Sequence, residues 1–114
     1  MQITVAICTW NRCALLRQAL EQMSKLSIPP DVHWELLVID NNSTDATPDV
    51  TNSFESRLPI RRIFEPKAGK SYALNRAISE ASGDYILWTD DDALVDKLWL
   101  TAYCSAFKQW RNPA

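Results

Sequence analysis

Three consecutive carboxylates, Asp90-Asp91-Asp92, close the run Asp84-Tyr85-Ile86-Leu87-Trp88-Thr89. The run is apolar, aromatic and rich in strand formers, so it reads as a buried strand that delivers concentrated negative charge to one place. Like charges at that density repel unless a divalent cation or a set of donors offsets them. In an extended chain Asp90 and Asp92 point the same way, roughly 6.5–7 Å apart, and Asp91 the other way. Two carboxylates so placed can share a metal ion or a bound ligand, and oxygen-only ligands favour Mg²⁺ or Mn²⁺ over zinc. Taken alone, an Asp triplet reads sooner as a solvated acidic turn capping the next helix. Its surroundings decide between the two.

The elements that must position such a site alternate along the chain. Ile3 to Cys8 is a near-continuous apolar, β-branched run, the pattern of a strand buried on both faces, and Thr9-Trp10-Asn11-Arg12 ends it with polar groups. Ala14 to Leu26 places Leu15, Leu16, Ala19, Leu20, Met23 and Leu26 at helical spacing. The prolines of Ser27-Ile28-Pro29-Pro30-Asp31 make that stretch a connector. Trp34 to Asp40 is a second buried strand, also ending on a carboxylate, followed by Asn41-Asn42-Ser43-Thr44-Asp45. Thr47-Pro48 has the form of an N-cap with proline at the first helical position, opening a short helix to Phe54. Ile60 to Glu65 is a shorter strand whose charged middle, Arg61-Arg62, suits a sheet edge. After Lys67-Ala68-Gly69-Lys70-Ser71, a helix from Tyr72 to Ala81 carries Ala73, Leu74, Ala77, Ile78 and Ala81 on one face, and Gly83 is expected to end it. Lys97 to Trp110 gives a last helix whose stripe of Leu98, Trp99, Ala102, Tyr103, Ala106, Phe107 and Trp110 is expected to face the core.

Strand and helix therefore alternate four times, without internal repeat or linker. The pattern predicts a Rossmann-like, three-layer α/β/α domain with a mostly parallel sheet of about four strands. Ligands of such sheets bind at the carboxyl ends of the strands, where the strand order reverses. Thr9 to Arg12, Asp40 to Asn42, Lys67 to Lys70 and Asp90 to Asp92 should gather at that edge as one site.

Composition narrows the ligand. A net charge of −2 with no basic stripe gives no electrostatic reason to expect nucleic acid. No run approaches the roughly 18 apolar residues of a membrane span, and the chain reads as cytoplasmic. Cys8, Cys13 and Cys104 are odd in number and lack C-x-x-C spacing, as expected of reduced thiols, and with His33 the sole histidine a zinc site is disfavoured. Dinucleotides are disfavoured because their pyrophosphate turn needs G-x-G-x-x-G and the chain holds only Gly69 and Gly83. Ala68-Gly69-Lys70-Ser71 resembles the tail of a P-loop, but Phe64 stands where the first glycine is required. A phosphoacceptor receiver domain wants an acidic pair straight after the first strand, where Cys8-Thr9-Trp10 stands.

Four ordered motifs carry a resemblance to family 2 glycosyltransferases, which have a GT-A-type nucleotide-sugar-binding fold. They are Thr4 to Arg12, Val38 to Asp45, Gly69 to Ala77 and Asp84 to Asp92, spanning nearly the whole chain. The resemblance implies that residues 1–114 are the nucleotide-sugar-binding half of such an enzyme. It further implies that Thr9, Trp10, Asn11 and Arg12 wrap the base and ribose, that Asp40 meets the base and Asn42 belongs to the same nucleotide-sugar site, and that Lys70 and Asn75 lie by the phosphates and ribose. Asp90-Asp91-Asp92 matches the D-x-D motif, with Asp90 and Asp91 towards the donor and Asp92, supported by Asp90, on Mg²⁺ or Mn²⁺. Each residue also has a plainer reading. Asp40 could start an Asx turn with Asn42, Asn11 and Asn75 could be turn or capping residues, and Trp10, Arg12 and Lys70 could be ordinary surface groups.

The family's acceptor-binding half, with its carboxylate general base, has no counterpart in these 114 residues, and the acceptor stays unknown. The expectation is a domain that binds a UDP-sugar, with little or no transfer by itself; the alternative is a non-catalytic nucleotide-binding or assembly module that kept the fold. The strand from Tyr85 would leave an open sheet edge, where a homodimer is expected.

Overall fold

The computed structural model describes residues 1–111; the last three residues of the half expected over 1–114 lie outside the described residues. β1 (Gln2–Thr9), β2 (His33–Asp40), β3 (Ile60–Phe64) and β4 (Tyr85–Asp90) alternate with α1 (Cys13–Met23), α2 (Thr47–Ser53), α3 (Lys70–Glu80) and α4 (Trp99–Arg111). All strand pairs are parallel and the order is β3-β2-β1-β4, so the charged strand does lie at an edge. The order reverses at β1. Its register puts Thr9 beside Asp40 and Cys8 beside Asp90, so three strand ends meet.

Strand alternation sorts the core into two layers. Ile3, Val5 and Ile7 of β1, with Leu36, Val38 and Leu87, pack under Leu16, Leu20 and Met23 of α1, Val50 of α2 and Phe54 just after it, and Leu100 and Cys104 of α4. On the opposite face, Ala6, Leu37, Ile39 and Ile63 meet Ala73 and Ala77 of α3. Three helices cover one face and one covers the other, which is the three-layer architecture the sequence predicts.

Four local expectations are corrected. α1 ends at Met23 rather than Leu26, because Lys25 and Leu26 donate to Gln22 and Met23, tightening the last turn while Leu26 stays packed on the core. Thr47 is not a cap: Ala46 holds that position, and Asp45 accepts from the Thr47 N–H and hydroxyl at 3.1 and 2.6 Å. Burial pushes the Asp45 carboxyl up, but these bonds and one from the Cys13 N–H outweigh it and hold its pKa below the ordinary value. In α3, which begins at Lys70 and stops at Glu80, Ala73 and Ala77 face the sheet, whereas Ile78 is exposed and Leu74 half-buried. In α4 the fully covered residues are Leu100 and Cys104, neither in the expected stripe. Trp99 and Phe107 pack at the margin, Phe107 stacking on Tyr85 at 4.2 Å, while Leu98, Tyr103 and Trp110 are exposed. A helix over the last strand of a sheet is covered on one side alone.

Gly83 serves a purpose other than a left-handed helix end, since Gly69 is the glycine with positive φ. It lies so close to β1 that a Cβ would stand 2.6 Å from the Thr4 nitrogen, and its N–H donates to the Thr4 hydroxyl. That hydroxyl in turn donates to Glu35, which also accepts from the Ser82 N–H and hydroxyl. Gly83→Ala should therefore cost about 1–3 kcal/mol through backbone overpacking. Urea denaturation reads the loss; an unchanged midpoint contradicts the close approach.

Candidate functional site

At the carboxyl ends of the strands, an open cavity of about 920 Å³ lies between α3 and β4. β1 and its loop contribute Cys8, Thr9, Trp10 and Arg12; β2 contributes Asn41; the approach to α3 contributes Ala68, Gly69 and Lys70. Ala73, Leu74 and Ile78 of α3 form one apolar wall, and Trp88 leads β4 into Thr89 and Asp90-Asp91-Asp92 on the other. The four polar clusters do converge.

The acidic triplet is not extended. β4 stops at Asp90, whose carbonyl accepts from the Ala93 N–H at 3.2 Å, so the chain turns through Asp91 and Asp92. Asp91 is 5% exposed and tucked inward: one oxygen accepts from the Thr9 hydroxyl at 2.9 Å, the other from Arg12 Nη1 at 3.0 Å. The same Arg12 nitrogen lies 3.8 Å from Asp92 Oδ2. This hydrogen bond to Asp91, then the charge of Asp91, raise the Arg12 pKa above its already high value. Donors thus offset the middle carboxylate, while Asp90 and Asp92 remain exposed. Among the described residues no three side chains of metal-ligating type converge. Two exposed carboxylates still fit Mg²⁺ or Mn²⁺, which characteristically take one or two carboxylates and complete their shell with water and phosphate oxygens.

Trp10 is 60% exposed at the cavity, and Lys70, the first residue of α3, is exposed there too. Asn11, Asp40, Asn42 and Asn75 are not on the cavity wall. Asp40 is fully buried, with one oxygen accepting from Arg62 Nη1 and the other from the Ser43 N–H, both at 3.0 Å. Asn11 and Asn42 adopt positive φ, and Asn11 clasps the second loop by accepting from the Thr44 N–H at 2.7 Å while its own N–H donates to Ser43. Asn75 is exposed on α3.

Cys8, Trp88, Leu74 and Ile78 are wall residues that the sequence reading did not place in the site, and Asn41, inside its Asp40 to Asn42 cluster, had no role of its own there. Strand parity was the available signal: Leu37, Ile39 and Asn41 alternate onto the α3 face, as do Ile86 and Trp88. Cys8 is no ready nucleophile, because burial pushes its thiol pKa up, Lys70 pulls it down, and Asp91 and Asp90 raise it again.

The family described as Glycosyl transferase family 2 matches residues 4–111. Among curated proteins, the chain is similar to the beta-monoglucosyldiacylglycerol synthase of Synechocystis sp., 32% identical over 100 residues, covering 84% of this chain and 21% of that protein. The probable glycosyltransferase YdaM of Bacillus subtilis is 32% identical over 102 residues, covering 85% and 24%. The chain thus spans less than a quarter of the length of these relatives. Among solved structures, the mannosyltransferase PcManGT from Pyrobaculum calidifontis, in complex with GDP-Man and Mn²⁺, superposes with a TM-score of 0.80 at 29% identity, covering 97% of this chain and 32% of that one. TarS 1-349 of S. aureus, in complex with UDP-GlcNAc, gives 0.84 at 23% identity, covering 96% and 32%, a likeness of fold.

Thr9→Val should leave a buried Asp91 oxygen without its donor and destabilise the chain by about 1–3 kcal/mol, with Thr9→Ser close to the unmutated chain. Equal denaturation midpoints for the valine variant and the unmutated chain would remove the hydroxyl from the account.

Proposed function

The chain belongs to glycosyl transferase family 2, and from that premise we propose that its cavity binds a nucleoside diphosphate-sugar, a UDP-sugar foremost, together with Mg²⁺ or Mn²⁺. The observation that carries this reading is the meeting of an exposed aromatic, a lysine and two exposed carboxylates around one open cavity at the reversal of strand order. In this reading Asp92, supported by Asp90, holds the ion, whose chemistry is to offset the charge that grows on the departing diphosphate. Lys70 adds a point charge beside the same phosphates, and Trp10 packs on a face of the base. Asp91 keeps the triplet and the Thr9–Arg12 loop together. Asn11, Asp40 and Asn42 shape the base end, with Asp40 meeting the base edge if it exchanges an internal donor. Asn75 is assigned to the ribose and phosphate side by family likeness rather than by a present contact.

Glycosyl transfer also needs a base for the acceptor hydroxyl. Asp90 and Asp92 are committed to the ion and Asp91 to Thr9 and Arg12, so residues 1–114 alone should bind the donor without moving its sugar at an appreciable rate. The likeness to a GDP-Man-bound and a UDP-GlcNAc-bound structure supports the ligand class and leaves the base to experiment.

Calorimetric titration of UDP and GDP, with and without Mn²⁺, tests the reading on the unmutated chain and on Asp92→Ala. UDP should bind more tightly than GDP and need Mn²⁺, and Asp92→Ala should weaken it at least about tenfold, or 1.4 kcal/mol. Absence of nucleotide binding in a folded sample, or binding indifferent to both Mn²⁺ and Asp92, would overturn it. The outer edge of β4 has no strand partner among the described residues, and we extend the reading to a second copy pairing along it. Sedimentation equilibrium should then give a dimer; a monomer at every concentration contradicts it.

A further inference from the structure

Asn41 is the first residue beyond β2, and its side chain, on the cavity wall, reaches the approach to α3. Its Nδ2 donates to the Lys67 carbonyl at 2.7 Å and to the Glu65 carbonyl at 3.4 Å, and its Oδ1 accepts from the Gly69 N–H at 3.0 Å. The two carbonyls and the N–H fix which end of the amide points where. The group is buried at 8% exposure, and both of its amide hydrogens are used within the protein.

The segment it grips needs such a grip. Residues 66–70 are exposed, and Gly69 sits at φ 132, a conformation that L side chains rarely adopt. The Glu65 N–H donates to the Asp40 carbonyl at 2.8 Å, and the Glu65 side chain accepts from the Lys67 N–H and Arg76. Those contacts fasten the start of the segment. Its far end, where the chain turns at Gly69 into Lys70, is tied to the sheet by Asn41. Lys70 follows as the first residue of α3, on the cavity wall.

We infer that Asn41 is a positioning residue: through its three hydrogen bonds to residues 65–69 it sets where Lys70 stands against the diphosphate of the donor. This rests on the donor-binding reading above. It adds a division of labour, in which Asn41 serves the phosphate end of the ligand and leaves the nucleoside end to the β1 and β2 loops. Asn41→Ala would free the Gly69 turn without altering any group that meets the base. The loss should therefore fall on UDP and spare uridine, and it should be felt through Lys70 rather than beside it.

The test is a double-mutant cycle of Asn41→Ala and Lys70→Ala, read by UDP affinity with Mn²⁺ and by uridine affinity in competition. Thermal melts confirm that each variant is folded, and Asn41→Ser, which keeps a small polar group, replaces the alanine variant if that one is not. UDP affinity should fall about tenfold in each single variant, the double variant should be no weaker than Lys70→Ala alone, and uridine should be unaffected. An unchanged UDP affinity in Asn41→Ala, losses that multiply to about a hundredfold in the double variant, or an equal loss for uridine would overturn the inference while leaving donor binding intact. Failure of the unmutated chain to bind UDP would overturn both, and is told apart because the cycle then has no starting value.

Discussion

The buried Asp91 carboxylate is the constraint on which the rest of the site depends. A charge pulled out of water must be met by donors, and here Thr9 and Arg12 meet both oxygens from the end of the central strand. That contact joins two segments about 80 residues apart in sequence. It also divides the work of three adjacent like charges. Asp91 is settled internally, so Asp90 and Asp92 can face a ligand with less mutual repulsion, and Arg12 stays near Asp92 as a local counter-charge.

The asymmetry of the two sheet faces explains why there is a cavity at all. Three helices close over one face with large side chains, whereas α3 alone lies on the other and approaches through Ala73 and Ala77. Small residues let α3 sit low on β1 and β2, which carries its first residue, Lys70, to the strand ends. The same arrangement leaves Leu74, Ile78 and Trp88 as an apolar wall with no covering helix among the described residues. The opening and the positioned lysine are consequences of one packing choice.

Much of this was legible in the chain. Strands buried on both faces announce themselves as unbroken apolar runs, so β1 and β2 and their polar ends were readable, and alternation with helices fixed a parallel sheet. What was not legible required knowing which neighbour stands where. The period of α4 marks an amphipathic helix but does not say that it covers β4 on one side, and so the buried pair proved to be Leu100 and Cys104. Gly83 looks like a helix terminator until Thr4 is known to lie against it. The Asp triplet follows strand alternation only as long as the strand continues, and it stops at Asp90. Asn41 was legible as a member of the Asp40 to Asn42 cluster but not in its role, although parity with Leu37 and Ile39 put it on the α3 face. Asp40 was seen as a strand-end acceptor, but Arg62 lies across the sheet edge and was out of view.

The central claim is that one cavity between Lys70 and the acidic triplet receives a diphosphate and its ion. A crystal structure grown with UDP and Mn²⁺, with anomalous scattering recorded at the manganese edge, tests it most directly. The account predicts one strong peak in coordination range of Asp92, with the diphosphate between it and Lys70, and Asp91 still held by Thr9 and Arg12. A peak away from the end of β4, or nucleotide density outside the cavity, would contradict it.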